Sequence, residues 1–247
     1  MITSVDIIVI CKNDLNGLKS TVDSILSQSF SYFKVHIIDG MSDDGSLEYL
    51  SSISNNNISH ISENDDGIYH AMNKGLDQCT LDFVLFLNAG DTFYDNSSLV
   101  TSIDLITDKN KVYFGRTEIM AGEKSVRWLP SLNEIDTKAW QNENLPPHPS
   151  IFFPKRFYCK NRYDLYLSVA SDNDYKIRAI TQCGSEFIDV NVAKFYLGGI
   201  SSRSDFNGLR TRLRERFILN IKYSKRNIAF EYFKILLIFV FKLVTKR

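Results

Sequence analysis

Val5-Asp6-Ile7-Ile8-Val9-Ile10-Cys11 is β-branched and apolar apart from one carboxylate, the pattern of a strand covered on both faces. The chain downstream keeps one rhythm. Asp14 or Asn16 can cap a helix whose apolar face is Leu18, Val22, Ile25 and Leu26, at spacings of three and four. Residues 35–38 read as a second buried strand, 46–53 as a helix, Ile58–Ser62 as a short third strand and 67–76 as a helix. Residues 81–87 (LDFVLFL) form another buried strand that runs straight into Asn88-Ala89-Gly90-Asp91. Strand and helix in alternation predict an α/β fold with a mostly parallel, Rossmann-like central sheet flanked by helices. The second half is less regular: a strand over 111–116, a long Pro-containing loop over 127–149, a helix over 172–181 and a strand over 187–195.

In such sheets ligands bind beyond the carboxyl ends of the strands. Asp39, Asp65 and Asp91 each follow a predicted strand, so three separate loops should meet on one edge. Each has an ordinary explanation too. Asp39 sits in a turn, Asp65 can cap the helix that follows it, and Asn88-Ala89-Gly90-Asp91 alone is a common strand-end turn. The stretch Glu63-Asn64-Asp65-Asp66-Gly67-Ile68-Tyr69-His70-Ala71-Met72-Asn73-Lys74-Gly75 carries more polar groups than capping requires. Helix N-termini of this kind suit diphosphates. Asp91, on a rigid strand end, offers a hard oxygen for a divalent cation completed by phosphate and water.

The composition is that of a folded protein, with 44% hydrophobic and 23% charged residues among 247. Zero net charge conceals an asymmetry. Residues 203–247 hold twelve basic and three acidic residues, a balance of +9, whereas residues 1–202 hold 17 and 26, a balance of −9. The two parts are expected to meet different partners. Cys11, Cys79, Cys159 and Cys183 form no CxxC pair, which favours a reduced cytoplasmic setting. The first apolar run has no basic lead-in and no small-residue cleavage site, so no signal peptide is expected.

Taken together, IIDGMSDDGS, SENDDGIYHAMNKG and FLNAGD, in that order, resemble the inverting nucleotide-sugar glycosyltransferases of family 2, with the GT-A fold, and in particular their bacterial O-antigen and polysaccharide branch. The resemblance spans about residues 3–200. It implies a catalytic domain over 1–202, with a nucleotide-sugar-binding half (1–100) and an acceptor-binding half (101–202). By position it puts Asp39 on the nucleotide base near Cys11, Asp65 by the ribose or base, Asn88 at the ribose, and Lys74 among the donor-binding residues. Asp91 would bind Mn²⁺ or Mg²⁺ bridging the donor diphosphate. Many relatives carry two or three acids in that motif; Asn88 and Gly90 leave one here, which implies a weakly held metal. Asp172, in Ala170-Ser171-Asp172-Asn173-Asp174, aligns with the base that strips the acceptor hydroxyl, although it also reads as a helix cap and Asp174 is close by. His148 and Gly199 match family positions near the diphosphate or acceptor, and Trp128 and Trp140 are aromatic faces on which a sugar can stack.

Residues 203–247 read as a basic, apolar helical appendage. Its wholly apolar run ILLIFVF is far shorter than the roughly 20 residues of a spanning helix, so peripheral contact with the inner face of a bacterial inner membrane is expected. The alternatives are helices packed on the body, or a homodimer interface; no nucleic-acid module is present. The expected activity is transfer of a sugar, a UDP-hexose donor being the first choice, to a lipid-linked saccharide of O antigen or capsule. The rival readings are a non-catalytic nucleotide-sugar-binding or scaffolding subunit, and a nucleotidyltransferase, for which residues 11–17 make a poor phosphate loop.

Overall fold

The computed structural model describes residues 2–121, 124–128, 145–197 and 206–223. The opening run forms β1 (Val5–Cys11), buried along its whole length. It is followed by α1 (Leu15–Leu26), β2 (Phe33–Asp39), α2 (Ser46–Ser52), β3 (Ile58–Ser62), α3 (Ile68–Gln78) and β4 (Phe83–Phe86). Asp14 caps α1, accepting from the Gly17 N–H at 2.9 Å. Leu18, Val22 and Ile25 face the core, joined by Thr21 rather than by Leu26, which is exposed.

β5 (Thr92–Phe93), α4 (Ser98–Asp104), β6 (Val112–Ala121), β7 (Lys124–Trp128), β8 (Ile151–Pro154) and α5 (Lys155–Tyr158) come next, and then α6 (Ser171–Cys183), β9 (Ser185–Tyr196) and α7 (Phe206–Tyr223). The strands order as β3-β2-β1-β4-β8-β6-β9-β5, with β7 paired to β6. β1 to β4 are mutually parallel, as the βα rhythm predicts. Beyond β4 the sheet is mixed, with β8 antiparallel to both β4 and β6 and β9 parallel to β6.

Side-chain alternation along the strands splits the core in two. Ile8, Ile10, Ile38, Val84 and Phe86 join α3 and α6 on one face, while Val5, Ile7, Val9, Val35, Ile37 and Leu85 join α1, α2 and α4 on the other. α3 lies close against β1: a Cβ on Gly75 would stand 2.5 Å from Ile8 Cγ2. Glycine is therefore required there for helix–sheet approach.

α7, the first part of the basic tail, is seated on the body. Leu219 is fully buried, Glu215 binds the chain before α6, and Lys222 and Tyr223 reach Asp174. The apolar run after it lies outside the described residues. Among the described residues no helix is long and apolar enough to cross a membrane.

Candidate active site

Parallel pairing sets Cys11, Asp39 and Ser62 side by side at the carboxyl ends of β1, β2 and β3. Asp39 is fully buried. Its carboxylate accepts from the Ser42 N–H (3.1 Å), the Ser42 hydroxyl (2.5 Å) and the Ser62 hydroxyl (2.5 Å). Burial of a carboxylate is tolerable only with such donors. The two serines were not distinguishable in sequence from turn serines; the signal they gave was only their spacing from Asp39. The Cys11 thiol is pushed up by burial, so it stands as a small neutral group at the strand end.

Gly40 follows Asp39 directly, and a Cβ there would lie 3.1 Å from Lys12 Cδ and 3.3 Å from Asp65 Oδ2. Lys12 and Asp65 thus converge over the same edge. Asp65 is paired with Lys74 at 2.7 Å. The Lys74 ammonium also meets Glu63 at 2.8 Å and donates to the Asn64 carbonyl at 2.9 Å. Burial would lower this ammonium, but its contacts with Asp65 and Glu63 outweigh that and hold it above the ordinary lysine value. Lys74 therefore organises the segment 63–65 from α3.

The 88–91 turn extends β4 alongside β1, with the Ala89 N–H donating to Ile10 O at 2.9 Å. Asp91 is 4% exposed and accepts from the Asn88 N–H at 3.2 Å. Burial pushes its carboxyl up to about 7 against the pull of the Asn88 and Tyr196 backbone donors. Asn88 Oδ1 is buried with no hydrogen-bond partner. An orphaned amide oxygen three residues before a carboxylate, on the same turn, is a hard-donor pair suited to Mn²⁺ or Mg²⁺. Asp14 Oδ2 lies 3.8 Å from where a Gly90 Cβ would be, so a third oxygen donor borders the turn. One other group of three potential ligands occurs among the described residues, Asp6, His36 and Cys79. It lies at the opposite end of β1, and its atoms are already bonded. Asp6 takes His36 Nε2 at 2.9 Å and the Thr80 and Leu81 N–H groups at 2.6 and 2.7 Å, while Cys79 Sγ donates to Gly75 O at 3.3 Å.

Asp172 stands in the first turn of α6 and does not cap it, because the N-cap position is Ala170. Tyr69 links it to α3: its hydroxyl donates to Val169 O at 2.8 Å and lies 3.5 Å from Asp172 Oδ1. Lys176 pairs with Asp172 at 3.2 Å. Burial alone would raise the Asp172 carboxyl, but the charge of Lys176, with the Lys176 and Asn173 hydrogen bonds, brings it below the ordinary value. Asp174 is committed elsewhere, to Arg178 (2.7 Å), Lys222 (2.6 Å) and the Tyr223 hydroxyl (2.5 Å).

His148 ends the approach from the second half. Its Nε2 is 2.7 Å from the Tyr163 hydroxyl, and its ring centroid is 4.7 Å from that of Phe86 at the end of β4. Burial, with Lys176 adding, lowers His148 to about 3 against the opposing charge of Asp172, so the imidazole is neutral. Tyr163 stacks between Tyr69 (5.6 Å) and Tyr175 (4.1 Å), an aromatic wall that the sequence reading had not assembled. Trp128 lies edge-on to Phe114 at 6.4 Å. Trp140 and Gly199 lie outside the described residues.

Asn88 and Asp91 follow β4, which lies beside β1; Cys11, Asp39 and Ser62 end β1, β2 and β3, Asp65 lies by Gly40, and Tyr69 of α3 reaches Asp172. The fold is shared with solved structures that hold nucleotide sugars. S. aureus TarS 1-349 in complex with UDP-GlcNAc superposes with a TM-score of 0.73 at 16% identity, over 93% of this chain and 69% of that one. The mannosyltransferase PcManGT from Pyrobaculum calidifontis in complex with GDP-Man and Mn²⁺ gives 0.61 at 15%, over 92% and 66%. An uncharacterized glycosyltransferase of Mycobacterium tuberculosis (strain H37Rv) is 28% identical over 240 residues, 94% of this chain and 90% of the relative. Residues 6–163, well over half the chain, match the family model Glycosyl transferase family 2; the protein is a member of that family, with a GT-A-like fold.

Proposed function

We propose that the chain transfers a hexose, with inversion, from a UDP-sugar to a lipid-linked saccharide at the inner face of a bacterial inner membrane, in O-antigen or capsule assembly. The observation that carries this reading is Asp172. It is an ionised carboxylate at the head of α6, beside the neutral His148 and linked through Tyr69 to α3, the helix that follows Asp65.

In the proposed reaction Asp39 accepts from the base, with Asp65 and Asn88 toward the ribose. The acceptor hydroxyl oxygen attacks the anomeric carbon from the face opposite the diphosphate. The new C–O bond forms as the bond to the diphosphate oxygen breaks, and Asp172 takes the hydroxyl proton. The nucleoside diphosphate leaves with the bonding pair. Asp91 and Asn88 would hold a divalent cation, which neutralises charge on the leaving diphosphate. Arg178, Lys222 and Tyr223 engage the Asp174 oxygens that a substrate would need, which favours Asp172 as the base.

The resemblance in the 63–75 segment and the basic tail support the donor class and the membrane position. The test is a screen of radiolabelled nucleotide sugars against synthetic diphosphate-lipid acceptors, with and without Mn²⁺. Metal-stimulated transfer from a UDP-hexose is expected. Binding of UDP with no transfer from any donor would instead favour the non-catalytic binding subunit that the thinned acidic motif suggests.

A further inference from the structure

The residues after the family match also reach the site. Val169, Ala170 and Asp172 lie beyond residue 163, where the match ends, and so does α7, which brackets them. Glu215 is one of three acidic residues in the basic stretch 203–247 and is 4% exposed. Its Oε1 accepts from the Ser168 N–H (2.8 Å) and hydroxyl (2.7 Å), and its Oε2 from the Val169 and Ala170 N–H groups (both 2.8 Å). Three consecutive backbone donors converging on one buried carboxylate form an anion nest.

This nest stands where a helix cap would be. α6 begins at Ser171, and its N-cap, Ala170, has no side chain able to cap it. The anchor for the first turn is supplied from another helix, with a negative charge at the positive end of the α6 dipole. The same clamped segment presents Val169 O to Tyr69, and two residues past Ala170 it carries Asp172. On the far side of Asp172, Asp174 is tied to Lys222 and Tyr223 of α7.

We infer that Glu215 is a positioning residue for the transfer reaction: by clamping residues 168–170 it sets the carboxylate of Asp172 against the acceptor hydroxyl. The clamp is supplied by this one side chain of α7, although α7 lies in the basic tail. This inference rests on Asp172 being the base.

The test compares Glu215→Gln with Leu219→Ala, which loosens the same helix through a fully buried side chain, and with Asp172→Asn. Glutamine keeps the shape but turns an NH₂ toward the donors, breaking either the Ser168 N–H bond or those of Val169 and Ala170. At a temperature well below every melting point, Glu215→Gln is expected to lower kcat about 10- to 100-fold. The donor KM and the UDP dissociation constant should stay within about twofold, and Leu219→Ala should keep kcat within about twofold. Ser168→Ala, which removes one bond of the four, should lower kcat about threefold and serves if Glu215→Gln does not fold. Full kcat in Glu215→Gln, or in Ser168→Ala where that variant stands in, overturns the inference, and so does an equal loss in Leu219→Ala. An active Asp172→Asn would instead remove the assignment of the base.

Discussion

Single side chains carry most of the chemistry proposed for this edge, and each makes a different prediction. Replacing Asp172 with Asn keeps its size and removes the proton acceptor. Transfer should fall about 10²- to 10⁴-fold, while UDP affinity measured by calorimetry stays unchanged; UDP binding that collapsed with it would mean a structural carboxylate. Asp39→Asn should do the opposite, weakening UDP at least tenfold, since the amide presents an NH₂ to the Ser42 and Ser62 donors and to the base.

His148 predicts a pH dependence of stability. Burial, then Lys176, lowers it to about 3 from the ordinary 6.5. Below pH 6.5 the unfolded chain takes up a proton that the folded chain refuses. The contribution is thus fully present above about 6.5 and is lost as pH falls toward 3. The melting temperature should drop more steeply between pH 7 and 4.5 in the wild type than in His148→Gln, which keeps a hydrogen-bonding group for Tyr163 but cannot titrate. Parallel curves would show that His148 is more open to water than its packing implies.

At the scale of elements, the sequence was read most easily where a period and a boundary coincided. β1 and β3 fall on their expected bounds, and α2 and α3 differ at their ends by one or two residues, as helix ends commonly do. β8 was not read, because four residues following a Pro-containing loop show no period of their own. Asp172 illustrates a different limit. Its position before a helical run looks like a cap, and only the observed start at Ser171, with Ala170 as the N-cap, shows that it is not. Glycine in the 63–75 segment has a mechanical meaning that the motif alone does not disclose. Gly75→Ala would drive a methyl group into Ile8. It should destabilise the domain by about 1–3 kcal/mol in chemical denaturation despite the better helix propensity of alanine. A stabilised variant would mean that α3 can slide away from β1 freely.

For the whole molecule, the charge asymmetry acquires a structural division. Part of the basic tail, α7, is spent on the body through Glu215, Leu219, Lys222 and Tyr223. The membrane contact we propose therefore falls to the residues that follow. The full chain should cosediment with vesicles containing anionic lipid, and less so at high salt. A chain ending at Asn227 should stay in the supernatant and keep its UDP affinity. Cosedimentation of that shortened chain would move the contact to the body.

Sequence by itself determined the alternation of strands and helices, and with it the parallel half of the sheet and the carboxylates at its edge. Periodicity and strand-end motifs are local, so they survive in one dimension. What only the tertiary structure decided is which polar groups are already spoken for. Lys74 serves the 63–65 segment, Asp174 is held by α7, Asn88 keeps an unpartnered oxygen, and Glu215 anchors the turn before Asp172. Those distinctions depend on contacts between residues from nine to almost fifty positions apart, and a buried polar group takes its role from the partner that it meets in space.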